Sequence, residues 1–252
     1  MSAHAEAHGN PHIAHHFADV HQQQEAHTLG MWTFLATEVM FFGGLFLAFI
    51  VYHIVYPEAF IYGSGKLSVL YGGINTFFLI LSSLTMALAV HAAQVGNQKG
   101  LRRFLIFTIA LAFAFLGVKT IEWGEKVQHH LIPGPHFDIT PTLHHAPGTE
   151  PTPKDLEHYK HDLEQFEHYK KLDPMLERHT QIFYLLYFIM TGLHGIHVII
   201  GIGILFWIYL RARRGEFHEQ WNTPVELTGL YWHFVDLVWI YLFPVIYLIH
   251  RH

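Results

Sequence analysis

The chain has 252 residues, of which 51% are hydrophobic and only 14% are charged. A soluble protein of ordinary composition carries about 25% charged residues, so this composition indicates an integral membrane protein. The formal net charge of −5 argues against nucleic-acid binding. The absence of cysteine excludes disulfides, thiolate metal sites and iron–sulfur clusters.

Residues 1–28 form a polar tail that is rich in histidine and contains no Lys or Arg. The tail lacks the basic start and the apolar centre of a signal peptide. Its histidines, like those of the long loop described below, are irregularly spaced, which is more typical of a solvated polar segment than of a metal site. We therefore divide the chain into this tail and a membrane domain, residues 29–252.

Five apolar blocks of this domain are long enough to cross a membrane. They are approximately Leu29–Tyr56, Leu67–Val95, Leu101–Lys126, Thr180–Leu210 and Val225–Ile249. Only helices and closed barrels satisfy the backbone in lipid, and the alternating pattern of barrel strands is not seen. The sequence therefore predicts an all-α polytopic protein, a bundle of five transmembrane helices.

The basic residues of the short loops predict the orientation of these helices, because Lys and Arg are retained on the cytoplasmic side. Two loops that lie on the same side contain Lys99, Arg102, Arg103, Arg211, Arg213 and Arg214. The opposite side has Lys66 and Arg251. We expect a cytoplasmic N-terminus and an external C-terminus.

The third and fourth blocks are joined by a long polar loop, approximately residues 127–179, which is external in this topology. Its first part is rich in proline and should be irregular. In its second part, apolar side chains recur at helical spacing, at Leu156, Tyr159, Leu163, Phe166 and Tyr169. We expect a surface helix there, lying on a partner or on the membrane interface.

Glu38 is the most informative residue of the first block. It lies roughly 13 Å from Leu29 at about 1.5 Å per residue, near the middle of the hydrocarbon core. A charge at that depth costs at least ~2.5 kcal/mol, so Glu38 must be protonated or paired. The small residues Thr33, Thr37 and Gly44 lie beside it and favour close helix packing, so Glu38 should face a neighbouring helix. A structural and a proton-conducting role both remain open.

His194 and His197 lie three residues apart in the fourth block and share a helix face. Two interpretations compete. The histidines could ligate a metal or haem, with His91 and His233 available on other helices. Alternatively, they could be hydrogen-bonding partners of Glu38 and of the fifth helix.

In the fifth block, His233 and Asp236 are again three apart on one face. A hydrogen-bonded pair, or a tie to another subunit, would offset the cost of burying Asp236. Glu226 lies near the start of this helix, where the helix dipole favours a carboxylate.

In the third block, Lys119, Glu122 and Lys126 share one face near the outer end. We expect an ion pair between neighbouring turns, with the lysines extending to the membrane interface.

Five segments together resemble subunit III of haem-copper oxidases, especially cytochrome c oxidase. They are LGMWTFLATEVMFFGGLF, INTFFLILSSLTMALAVHAAQVGNQKGLRRFL, FLGVKTIEW, TGLHGIHVIIG and YWHFVDLVWIYLF. The resemblance covers Leu29 to Ile249 except most of the long loop.

The resemblance implies a chain that binds no haem, copper or other metal and has no catalytic residue. Such a chain packs on the catalytic subunit I, which holds the haem–copper site, in a complex with subunit II. The family is thought to support proton uptake, to protect the enzyme during turnover and to bind phospholipid in a cleft. Glu38 matches the family's buried glutamate, and His194 or His197 its histidine partner. Recurrent family positions also fall on Glu122, Glu226, His233 and Asp236.

Two departures from the family pattern matter. Many members have seven helices, whereas this chain has five. A His-His pair that often precedes the glutamate matching Glu226 is replaced by Trp221 and Asn222. The candidates for lipid-headgroup contact in this loop are Arg211, Arg213, Arg214 and His218.

Four alternatives to a cytochrome c oxidase subunit III remain. Within the family, the chain could belong to a quinol oxidase or be an accessory protein of nitric oxide reductase. In other classes, it could be a proton-coupled transporter or channel, or a haem-binding bundle. The sequence also allows the long loop to contact an extra subunit or a further respiratory complex.

Overall fold

The computed structural model of the protein describes Phe17 and residues 20–135, 137–141, 152–217 and 221–249. Most of the polar tail, His218 and Arg251 lie outside these ranges. The helices in the described residues are α1 (Val20–Val55), α2 (Pro57–Gly65), α3 (Val69–Gln94), α4 (Gln98–Gln128), α5 (Pro153–Leu172), α6 (Leu176–Arg213) and α7 (Thr223–Tyr247).

Five of these helices, α1, α3, α4, α6 and α7, are long and apolar enough to cross a membrane. The predicted all-α polytopic class is therefore confirmed, and the chain is a multi-pass membrane protein. Helix α1 begins at Val20, nine residues before the apolar block that starts at Leu29. Likewise α6 begins at Leu176 rather than Thr180. Both helices continue through polar residues beyond their apolar blocks. The thickness of the hydrocarbon core predicts only the apolar length of a helix, so it does not predict these extensions.

Local sequence explains several helix ends. Thr152 and Asp155 form a reciprocal capping box at the start of α5, with Pro153 in the first turn, as predicted for a surface helix. Gly96 ends α3 with φ of +69°, which glycine adopts without steric cost. The Asn97 side chain then accepts a hydrogen bond from the Gly100 amide in the first turn of α4.

Two compact units make up the fold, and each spanning helix contributes one segment to each unit. The first unit comprises the described parts of Met1–Gly43, Ile80–Ala112 and His197–Leu237. Its core is built on Trp232, whose ring occupies the space above Gly201: a Cβ there would lie 2.7 Å from the indole. The Trp232 indole donates to the Ser82 hydroxyl at 3.0 Å. A glycine at this position therefore permits close helix packing.

The second unit comprises Gly44–Leu79, Phe113–Ile196 and the described part of Val238–His252. Its core is strongly aromatic, and Phe49, Phe60 and Phe183 form mutual ring contacts with centroids 5.1 to 5.9 Å apart. Gly63 admits the ring of Phe183 in the same way that Gly201 admits Trp232.

Candidate functional site

Glu38 and His197 form an ion-pair contact in the first unit. Glu38 Oε2 on α1 lies 3.2 Å from His197 Nε2 on α6. Both side chains are mostly buried, with 19% and 15% of their surface exposed. The expectation that Glu38 faces a neighbouring helix is met, and of the two predicted histidine partners it is His197 that makes the contact.

The imidazole of His197 is positioned by two further groups. The Phe42 ring, one turn beyond Glu38, meets it edge-on with centroids 5.3 Å apart. The Tyr231 hydroxyl on α7 donates to the His197 carbonyl at 3.1 Å. These contacts bring α1, α6 and α7 together around the pair.

The pair lies in the wall of an open groove of about 440 Å³. The groove is lined by Met31, Phe34, Glu38, His197, Ile200, Ile204, Leu227, Thr228 and Tyr231. Its wall is almost entirely carbon. The hydroxyls of Thr228 and Tyr231 donate to backbone carbonyls, so the carboxyl of Glu38 and the imidazole of His197 are the other polar side-chain groups of this wall.

A carboxyl paired with an imidazole holds one dissociable proton between two sites without acquiring a net charge. The carboxylate with an imidazolium and the carboxylic acid with a neutral imidazole both sum to zero. This arrangement avoids an isolated charge in hydrocarbon, which is costly, and leaves a proton that can move between the two groups.

His194 has different surroundings from His197, although it lies only three residues away. In the second unit its ring meets Phe115 with centroids 5.6 Å apart and Trp239 at 5.2 Å. The side chain is buried. His194 is thus part of an aromatic core.

The predicted hydrogen-bonded pair of His233 and Asp236 is wrong. His233 Nδ1 lies 2.7 Å from the Ser83 hydroxyl on α3. Asp236 is buried, and neither of its carboxylate oxygens makes a hydrogen bond of standard geometry within the described part of the chain, although Ser83 also approaches it. His233 and Asp236 lie on adjacent turns of α7, but the Ser83 hydroxyl on α3 takes the place of Asp236 as the partner of His233.

The predicted ion pair of Lys119 and Glu122 is present in the second unit, with Nζ 3.0 Å from Oε2. The expected extension of Lys119 to the interface is wrong, because its side chain is buried. Its ammonium instead donates to the hydroxyls of Tyr187 at 3.2 Å and Tyr247 at 2.7 Å. Both hydroxyls donate in turn to Glu122 Oε1. The Lys126 ammonium donates to a backbone carbonyl, that of Lys66, at 2.8 Å.

Sequence reasoning missed Tyr187, Tyr247 and Tyr231. A buried tyrosine needs a hydrogen-bond partner for its hydroxyl, and this requirement could have pointed to the three residues. It does not identify the partner, because tyrosines that bond across helices have no characteristic spacing.

The remaining candidates lie near the α6–α7 connection. Glu226 is in the first turn of α7, as predicted, and accepts from Gln94 Nε2 at 2.7 Å. Arg211 is engaged within the chain: its Nε donates to Glu216 at 2.6 Å and its guanidinium lies 4.7 Å from the ring centre of Trp207. Arg213 and Arg214 are exposed. His218 lies outside the described residues.

Ligation of a metal by acidic and histidine side chains requires several of them to converge. Within the described ranges there is no group of three or more His, Asp or Glu residues that could hold a metal ion.

Comparisons with known proteins agree with these features. A family model described as cytochrome c oxidase subunit III matches residues 172–250. The cytochrome c oxidase subunit 3 of Thermostichus vulcanus is 27% identical over 92% of this chain and 91% of its own length. That of Corynebacterium diphtheriae is 28% identical over 88% of this chain and 87% of its own. The quinol oxidase subunit 3 of Bacillus subtilis is 28% identical over 87% of this chain and 85% of its own.

The matched region contains His194, His197, His233 and Asp236, the residues of TGLHGIHV and YWHFVDLVW from which the resemblance was first drawn. With relatives of one kind aligning over nearly the whole length, the comparisons support the haem-copper oxidase subunit III family for this chain.

Proposed function

We propose that this chain is the non-redox subunit III of a respiratory cytochrome c oxidase. Family membership makes it a subunit of a multi-subunit oxidoreductase. In the proposal it packs on the catalytic subunit I, in a complex with subunit II, and supports proton uptake and stability while the complex reduces O2 to water. Haem and copper are held by the partner subunits.

The observation that carries the proposal is the contact between Glu38 and His197 at the wall of an apolar groove. A charged carboxylate at this depth is costly, so one that is present is expected to have a functional or a structural role. Its contact with an imidazole favours proton exchange over a purely structural bond, since the pair can hold its proton on either group without gaining a net charge. The groove itself suits an acyl chain of a bound phospholipid, because its wall offers apolar surface with few polar atoms.

The other candidate residues have supporting roles in this proposal. His233 and Asp236 support α7 in the first unit, and His194 and Glu122 support the core of the second unit. The Glu226 carboxylate stabilises the start of α7 through the helix dipole and accepts a hydrogen bond from Gln94. For lipid headgroups, the exposed side chains of Arg213 and Arg214 are favoured over Arg211, which lies 2.6 Å from Glu216, whereas Arg214 lies 3.8 Å from it. His218, outside the described residues, is a further candidate.

We further propose a bacterial cytoplasmic membrane as the location, with the N-terminus cytoplasmic and the C-terminus external. The basic residues in the first turns of α4 and around the end of α6 support this orientation. The connection between α4 and α6 is then external, where it is available to an extra subunit or a further respiratory complex.

Affinity purification of the full-length chain from its native membrane tests the central claim. We expect a haem–copper catalytic subunit to co-purify and to give the Soret absorption of the complex. Recovery of the chain without such a subunit, or ion flux through the isolated chain in liposomes, contradicts the proposal.

The electron donor separates the proposal from its second candidate, a quinol oxidase subunit III. That candidate is favoured by the 28% identity to the Bacillus subtilis quinol oxidase subunit 3. Reduced cytochrome c and a quinol are offered to the purified complex in parallel assays. Turnover with the quinol alone selects the second candidate.

The role of Glu38 is tested with Glu38→Gln, which keeps the shape of the side chain and removes its proton chemistry. We expect normal assembly and a normal initial rate of O2 reduction, followed by faster loss of activity during sustained turnover. Glu167→Gln, at an exposed position of α5, is the matched control. Failure of the Glu38 variant to assemble would make Glu38 a structural residue.

A further inference from the structure

The connection between α4 and α6 contains two parts that are packed very differently. Residues 129–141 include Leu131, Phe137 and Ile139, all of which are buried. In α5, by contrast, none of the 20 residues is buried. Burial of apolar side chains is the main source of attachment for a surface element, so α5 is held far less firmly than the segment that precedes it.

The attachment of α5 is concentrated on α2 and the residue that follows it. Lys66 Nζ lies 2.9 Å from Asp162 Oδ1. The Tyr62 ring meets Phe166 and Tyr169 with centroids 6.3 and 5.6 Å apart. Burial and, secondarily, the nearby Asp162 carboxylate raise the pKa of the Tyr62 hydroxyl.

Lys66 is itself fixed on the membrane helices. Its carbonyl accepts from the Lys126 ammonium on α4 at 2.8 Å. Its amide donates to carbonyls in the last turn of α2. The cation that α5 binds is therefore on a rigid support, and a substitution of the Lys66 side chain leaves these backbone contacts in place.

The C-terminal end of α5 is fixed separately. Asp173 Oδ2 lies 2.6 Å from His179 Nδ1 on α6, and Asp173 Oδ1 accepts from the Met175 amide. The His179 ring stacks on Tyr56 with centroids 3.8 Å apart. Movement of α5 would therefore be a rotation about Asp173.

We propose that α5 is a hinged arm that pivots at Asp173 and is held against α2 by the ion pair of Lys66 with Asp162. Both charged side chains are 27% exposed, so salt screens their attraction. Pairs of this kind contribute little to stability. Rising ionic strength therefore raises the fraction of molecules with an open arm, in which the Tyr62 ring, otherwise buried, is uncovered. The proposal does not depend on the electron donor or on the role of Glu38.

The distance between two spin labels tests the arm directly, since the chain has no cysteine of its own. Labels are introduced through Glu157→Cys on α5 and Leu70→Cys on α3, two exposed positions. They are measured in the full-length chain purified with its accompanying subunits, and the chain without the two substitutions controls for labelling elsewhere. Glu157 lies about 24 Å along the helix from Asp173, so a rotation of about 20° moves its label by roughly 8 Å.

We expect one narrow distance at low salt and a second, longer distance whose share grows with KCl. Lys66→Glu should raise the ratio of open to closed arm at low salt by up to about fivefold. The exchanged pair Lys66→Glu with Asp162→Lys should restore the narrow distance. Lys160→Glu, the same charge change at an exposed position of α5, should have no effect.

Three outcomes would overturn the proposal. The first is an unchanged distance in Lys66→Glu and at high salt, which would mean a rigid arm. The second is failure of the exchanged pair to restore the narrow distance. The third is an equal effect of Lys160→Glu, which would assign the change to net charge rather than to this ion pair.

Discussion

The buried cluster around Lys119 gives the sharpest stability prediction for this chain. The three N–H bonds of its ammonium are all used, by Glu122 Oε2, the Tyr187 hydroxyl and the Tyr247 hydroxyl. Glu122 Oε1 accepts from both tyrosines, at 2.9 and 2.6 Å. The ring centres of Tyr187, Trp239 and Tyr247 lie 5.0 to 5.4 Å from the ammonium. The network is therefore closed, and every member depends on the others.

Glu122→Gln removes the negative charge and keeps the size of the side chain. The ammonium of Lys119, whose side chain is only 7% exposed, is then left without a counter-charge. Removing one partner of a buried ion pair costs about 3–5 kcal/mol. The unfolding equilibrium should therefore shift by two to nearly four powers of ten, at about 1.4 kcal/mol for each.

The double variant Lys119→Met with Glu122→Gln removes both charges and keeps side chains of similar size. It therefore separates the cost of an unpaired charge from the cost of a changed side-chain shape. Replacing both members of a buried pair by neutral groups is often close to neutral. We therefore expect the double variant to be at least ~2 kcal/mol more stable than Glu122→Gln alone.

Reversible unfolding of the full-length chain in detergent micelles, followed by tryptophan fluorescence, measures both variants. Thr120→Ala is the control, since Thr120 is exposed on the same turn and bonds only its own helix backbone; it should change stability by less than ~0.5 kcal/mol. A Glu122→Gln variant as stable as the wild type would refute the argument. So would a double variant no more stable than the single one.

Further variants test other contacts. Gly201→Ala should lower the free energy of unfolding by about 1–3 kcal/mol, because its Cβ would lie 2.7 Å from Trp232. Gly203→Ala, whose Cβ would have nothing within 4 Å, is the control. Equal thermal stability of the two variants would contradict the packing argument. Asp236→Ala should lower the yield of assembled complex on gel filtration, because it removes the buried carboxylate that Ser83 on α3 approaches; a normal yield would refute this. Thr152→Ala should weaken the first turn of α5 by about 1 kcal/mol, measured by hydrogen exchange, where unchanged protection would count against the capping box.

The spanning helices were predictable because hydrocarbon thickness imposes a minimum apolar length on each of them. The short helix α2 was not, since its sequence PEAFIYGSG begins with proline and contains two glycines, a composition typical of a loop. It forms nonetheless, because its apolar side chains Phe60 and Tyr62 are buried. Tertiary contacts outweighed local propensity there.

For the candidate site, the sequence identified Glu38 and two possible histidine partners but could not choose between them. Residues three apart on a helix differ by only about 60° around its axis, so both face the same general direction. The structure separates them by their neighbours: Phe42 and Glu38 approach His197, whereas Phe115 and Trp239 enclose His194. Such neighbours come from other helices, and spacing along one helix does not reveal them.

The intramembrane carboxylates differ in how completely their hydrogen-bonding capacity is used, and this difference favours one of them for proton exchange. Glu122 accepts three hydrogen bonds in a network with no exposed member, so a proton could enter only if that network broke. Asp236 is buried, which denies it access to a proton source. Glu38 alone among the three combines a titratable partner with partial exposure on a groove. Of Glu38, Glu122 and Asp236, Glu38 is therefore the carboxylate whose surroundings allow proton exchange at the lowest cost.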